Sequence, residues 1–231
     1  EPDSSADAAA ARTEGTYRAA PLLPVGWIVP LDPAVRVGDV LFGTDKLGHF
    51  FTNGPRYLDV FVAARAAGAT VDAAEIAAVR FGVEQERGWL GIAAAGIFSY
   101  GDLQANWRGM VFLRDLCATS SPPTAASPKL LRVNGAWALT PAFDIAACVD
   151  PCWDEAWVPS AYDDVEGPAV QLALRSMCPV WRQPPVVERW QRYGALGCSP
   201  RHASIVSALV RAGDAPDARR FALSSVCAGQ P

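Results

Sequence analysis

The stretch FSYGDLQANWRG, residues 98–109, places an aspartate and an asparagine four residues apart inside what reads as a helix. Ser99 and Asp102 stand in capping-box spacing, so the helix starts at Ser99. Stepping about one hundred degrees per residue puts Asp102, Asn106, Gly109, Leu113 and Leu116 on one stripe. Gln104, Arg108 and Asp115 take the opposite side, the one expected to face water. Burial is therefore predicted for Asp102 and Asn106, and buried polar groups need hydrogen-bond partners from elsewhere in the chain.

Two other groups can supply them. In TDKLGHFFTNGPRY, 44–57, Asp45 and His49 are one helical turn apart, so the carboxylate can fix the imidazole tautomer and raise its basicity. In VEQERG, 83–88, an apolar helix ends in Glu84 and Glu86, and either carboxylate can be the inward one. Paired carboxylates beside a histidine are how acid and base roles are separated. For a glycan substrate, Glu84 would act as general acid and Asp102 as base. His49 and Asn106 would then orient the reacting groups, with Asp45 holding His49. Trp89, Tyr100, Trp107, Trp153 and Trp157 would stack on sugars or else fill the core. The metal alternative is a carboxylate-heavy cation site, His49 with Asp45, Glu84 or Asp102, whose donors suit zinc or manganese. The structural alternative is a solvated face at 44–57, a frayed helix end at 83–88, and a network that only fixes the core.

These residues need helices to position them. Residues 44–65 read as a first helix that Gly54-Pro55 should kink or split. Residues 70–87 read as a second, opened by Asp72 and Glu75 in capping-box spacing and apolar through its middle. A glycine-punctuated connection, LGIAAAGIF, leads to the helix at 99. Upstream, residues 17–43 read as an extended Pro/Gly-rich strap, and 1–16 as a disordered polar leader of the kind that follows a cleaved signal peptide. Downstream, 120–128 is a linker, and LLRV-NG-AWAL, 130–139, carries a strong hairpin signal. An irregular aromatic and acidic segment follows at 141–162, and short helices are expected at 166–177, 185–195, 200–212 and 215–227. The fold class predicted is mainly α: a helical core at 17–118, and a loop-rich half at 119–231 packed on it.

Six cysteines all lie at or beyond Cys117, and an even number in loop-rich sequence reads as three disulfides and an oxidising compartment, the periplasm or the cell exterior. A net charge of −4 argues against nucleic acid as a partner. The longest apolar run, residues 90–98, is about half of the roughly 20 residues a membrane helix needs, so no transmembrane segment is expected. Glycines 91 and 96 lack the spacing of a nucleotide-binding loop, and no cofactor is expected. A glycan or another envelope ligand is the partner that remains.

The order D-K-x-x-H (Asp45, Lys46, His49), a glutamate closing an apolar helix (Glu84), and F-S-x-x-D-L-x-A-N-x-x-G (Phe98 to Gly109) resembles the signature of VanZ-like proteins. It resembles more closely still a group of small bacterial envelope lipoproteins. The resemblance covers residues 44–112. It implies a helical hairpin core in which His49, Glu84, Asp102 and Asn106 converge, and an envelope location. It implies no particular reaction. Two functions are thus expected: a glycan hydrolase working through Glu84 and Asp102, or a non-catalytic binding or assembly protein whose network is structural.

Overall fold

A computed structural model describes residues 34–116, 130–139 and 144–228. The leader at 1–16, most of the strap and the linker at 120–128 lie outside the described residues. The described end of the strap is an antiparallel hairpin, β1 (Ala34–Val37) and β2 (Val40–Gly43), with Ala34 opposite Gly43. α1 (Asp45–Gly48) follows, then a five-residue π-helical segment, His49–Asn53, then α2 (Gly54–Ala66). The expected single first helix is therefore split one turn before Gly54-Pro55, by a widened turn that carries His49. Such π segments recur at functional sites.

α3 (Val71–Arg87) is capped by Thr70, whose hydroxyl accepts the Ala73 N–H at 3.2 Å. The cap is thus Thr70 rather than Asp72. α4 (Ile92–Ala95) ends on Gly96 at φ +69°, where a side chain would be strained. β3 (Ile97–Phe98) then leads into α5 (Tyr100–Arg114), capped as expected by Ser99 Oγ, which accepts the Asp102 N–H at 3.0 Å.

β4 (Leu130–Val133) and β5 (Ala136–Leu139) form the expected hairpin, and positive φ at both Asn134 and Gly135 gives the turn a twist that matches the strands. Two 3-10 turns, Ile145–Cys148 and Pro151–Trp153, lead to β6 (Ala161–Tyr162), which pairs antiparallel with β3. The chain closes with α6 (Gly167–Trp181), α7 (Pro184–Leu196), α8 (Pro200–Ala212), a 3-10 turn at Arg219–Phe221 and α9 (Leu223–Val226). The expected last helix at 215–227 is thus only two short turns.

The protein is mainly α, with a stapled second half. α2, α3 and α5 pack around Tyr57, Val79, Val83, Leu103 and Met110, with Ile205 and Leu209 of α8 joining from outside. Two of the expected disulfides are seen, Cys152–Cys198 and Cys178–Cys227, while Cys117 lies outside the described residues. One expectation fails on α5. Gln104 is buried rather than solvated and donates to Asp150 Oδ2 at 2.5 Å, and Arg108 pairs with the same oxygen at 2.6 Å. The segment after residue 144 covers the side that periodicity assigned to water.

Candidate functional site

The site is assembled where α1 and the π segment cross the start of α5. Close approach there needs small residues. A Cβ on Gly109 would lie 2.1 Å from the Phe50 carbonyl oxygen, and one on Gly54 would lie 2.7 Å from the Gly109 Cα. Only a backbone shift could relieve either contact, so glycine is strongly favoured at both positions.

At the centre is Lys46, wholly buried although lysine is almost never buried without a partner. Its ammonium donates to Asp102 Oδ1 at 2.5 Å, to Asp45 Oδ2 at 2.6 Å and to Glu155 Oε1 at 3.0 Å. Room for it comes from Gly101, where a Cβ would meet the Lys46 Cε at 2.9 Å. Glu155 Oε1 also accepts hydrogen bonds from the hydroxyls of Ser99 and, at 3.4 Å, Ser160.

His49 lies beside Lys46, with Nε2 at 3.1 Å from Asp102 Oδ2 and Nδ1 at 3.1 Å from Asn106 Oδ1. Asn53 Nδ2 stands 3.2 Å from the same Nδ1. Burial disfavours the imidazolium, but the Asp102 charge and hydrogen bond outweigh it and raise the His49 pKa. Burial likewise pushes the Asp102 carboxyl up, yet Lys46 and His49 together hold it well below the usual carboxylate range. Asp102 is thus an anion held between the Lys46 ammonium and the His49 imidazole.

Glu86 completes the group. Its Oε2 accepts the Ser99 N–H at 3.2 Å, while its Oε1 is buried with no hydrogen-bond partner. The 88–98 connection makes this contact by doubling back tightly. A Cβ on Gly91 would sit 2.0 Å from the Glu86 carbonyl oxygen. Burial first, and the neighbouring Asp102 charge second, raise the Glu86 carboxyl to about 8, so it is protonated at neutral pH.

The structure therefore brings together Asp45, His49, Asp102 and Asn106, and it does not bring Glu84 to them. Glu84 is exposed, and the inward carboxylate is Glu86, two residues on. Asp45 also departs from its expected role, because its carboxylate serves Lys46 rather than His49. One site residue, Lys46, is not marked by its motif alone: it sits in D-K-x-x-H, and its signal is scarcity, since the only other lysine is Lys129. The W-D-E run at 153–155 reads either as carboxylates added to a site against the first helix or as a turn with a solvated acidic edge, and the structure buries its Glu155 against Lys46, 109 residues away. Of the five aromatic side chains considered as sugar platforms, Tyr100, Trp107 and Trp153 are core, Trp157 is half-buried, and Trp89 stands 87% exposed.

No family model, curated protein or solved structure matches this chain.

Proposed function

We propose that this chain is an exported bacterial envelope protein that binds or organises an envelope ligand rather than cleaving one. The network of Lys46, His49, Glu86, Asp102 and Asn106 holds its helical core in register. The observation that carries this reading is closure. Lys46 is fully buried and Glu86 is 1% exposed, so among the described residues the Glu86 and Asp102 carboxylates line no cleft wide enough for a polymeric substrate. Two disulfides fit an oxidising compartment, and among the described residues no helix is long and apolar enough to cross a membrane. Support for the VanZ-like resemblance comes from its motif residues, which lie far apart in sequence and gather at one point, with Glu86 in place of Glu84.

A second reading is favoured by one specific observation. Glu86 is held protonated within reach of an ionised Asp102, the separation of states that a general acid and its partner need. In that reading Glu86 takes the role first given to Glu84, and a glycan is hydrolysed.

Incubating the purified protein with peptidoglycan sacculi separates the two. Binding predicts co-sedimentation with no released fragments, unchanged in Glu86→Gln. Hydrolysis predicts released reducing ends, abolished in Glu86→Gln at an unchanged melting temperature, and that result would overturn the first reading.

A further inference from the structure

We propose that His49 Nε2, Asp102 Oδ2 and the unpartnered oxygen of Glu86 bind one divalent cation, with zinc the ion these donors suit best. The inference is independent of the envelope reading and concerns only what occupies this centre.

Three observations carry it. First, Glu86 Oε1 is a buried carboxyl oxygen with no hydrogen-bond partner, in a residue 1% exposed, and such an orphan calls for a partner that a cation can supply in exchange for the carboxyl proton. Second, the spacing fits. One ligand atom from each of His49, Glu86 and Asp102 lies within 4.8 Å of the others. Two donors at zinc bond lengths of roughly 2.0–2.1 Å stand about 2.9–3.4 Å apart when adjacent, and His49 Nε2 and Asp102 Oδ2 are 3.1 Å apart. The nearer Glu86 oxygen has at most about an ångström and a half to close.

Third, each ligand is already held by its other polar atom. His49 Nδ1 lies between Asn106 Oδ1 at 3.1 Å and Asn53 Nδ2 at 3.2 Å; the tautomer that donates from Nδ1 to the Asn106 oxygen leaves Nε2 for a metal. Asp102 Oδ1 is held by Lys46 at 2.5 Å, and Glu86 Oε2 by the Ser99 N–H at 3.2 Å. Outer-shell support of this kind orients metal ligands. The Lys46 charge does not forbid a cation, because Asp45 and Glu155 share it. Access runs along Asp45 and His49, whose side chains are 26% and 15% exposed. Another group with ligand-like spacing, Asp150, Cys152 and Cys198, offers no thiolate, since its two sulfurs are joined in a disulfide.

The experiment uses the full chain, stripped with a chelator and dialysed, then titrated with Zn²⁺ by calorimetry and with Co²⁺ by visible absorption. The expected result is one ion per chain, a raised melting temperature, and the d–d bands of a low-symmetry N/O site. Binding should fall by at least a hundredfold in Glu86→Gln and in His49→Gln. Far-UV circular dichroism of both variants without metal establishes that they fold, and Glu86→Gln is isosteric. Asp72→Asn, far from the centre on the exposed end of α3, should bind as the wild type does. No one-to-one binding by the folded wild type would overturn the proposal. So would folded Glu86→Gln and His49→Gln variants that bind as tightly as wild type.

Discussion

At the residue scale the polar centre is a balance of charges that no single side chain can leave without cost. Lys46→Met keeps the length and removes the cation, leaving Asp102 and Glu155 facing one another in a dry interior with Asp45 at its rim. Breaking a buried pair in this way costs about 3–5 kcal/mol, and urea denaturation should show a loss of that size. Adding Asp102→Asn and Glu155→Gln to the same chain should restore at least half of it, because the stranded charges are then gone. His202 gives a second test. It is buried against the Trp107 ring at 5.6 Å between centroids, and its Nε2 has no hydrogen-bond partner. Burial, aided by the Arg108 charge, lowers its pKa from 6.5 to about 3. Between those values the unfolded chain binds a proton that the folded chain refuses, so stability falls as pH falls below 6.5 and is unaffected above it. From pH 6.5 to 5 the wild type should lose about 2 kcal/mol more than His202→Phe. Equal losses would mean that His202 takes up its proton in the fold. Residue identities were partly legible in advance. Asp102, Asn106 and His49 stood on readable stripes, whereas Glu84 and Glu86 differ only by a rotation that depends on which side of α3 is covered. Lys46 was hidden because its burial depends on Glu155, a residue distant in sequence.

At the scale of elements the strongest signals were local ones. Ser99 capping α5, the span of α3 and the Asn134-Gly135 hairpin all follow from chemistry confined to a few residues, and all appear in the structure. The π segment at His49–Asn53 does not follow from such chemistry, because it answers to a neighbour. Phe50 is buried against Trp153, with ring centroids 5.6 Å apart, and its carbonyl rests on Gly109. Widening the turn lets α1 present Lys46, and the π segment itself His49, to α5 while α2 still packs along it. Gly109→Ala tests this account. The added methyl would meet the Phe50 carbonyl at 2.1 Å, a contact relieved only by moving the π segment or α5. Overpacking of this kind costs typically 1–3 kcal/mol, against the several tenths that alanine should gain over glycine in a free helix. A net loss of about 1–2 kcal/mol with a shifted His49 ring resonance is the expected outcome. A stabilised Gly109→Ala protein would show that the crossing is looser than described.

At the scale of the whole molecule the second half closes the site that the first half begins. The periodicity of α5 assigned Gln104 and Arg108 to water because a helix's own pattern cannot announce what another segment will lay over it. Here the 144–162 stretch brings Asp150 to both residues and Glu155 to Lys46. That stretch is anchored by Cys152–Cys198, which ties it to the start of α8. Cys178–Cys227 instead joins α6 to the chain end around Trp181, Val186 and Leu223. Both bonds close loops of similar length, with separations of 46 and 49 residues, so chain entropy alone gives each about 4 kcal/mol. Their effects on the polar centre should nevertheless differ. In Cys152→Ser/Cys198→Ser, Glu155 loses its anchor, so amide exchange at residues 100–106 should accelerate along with the loss of global stability. In Cys178→Ser/Cys227→Ser the same amides should stay protected relative to the lowered global limit, while those near 181–186 open first. If both variants expose residues 100–106 alike, the disulfides act only through the unfolded chain, and the Cys152 bond has no particular part in holding Glu155 against Lys46.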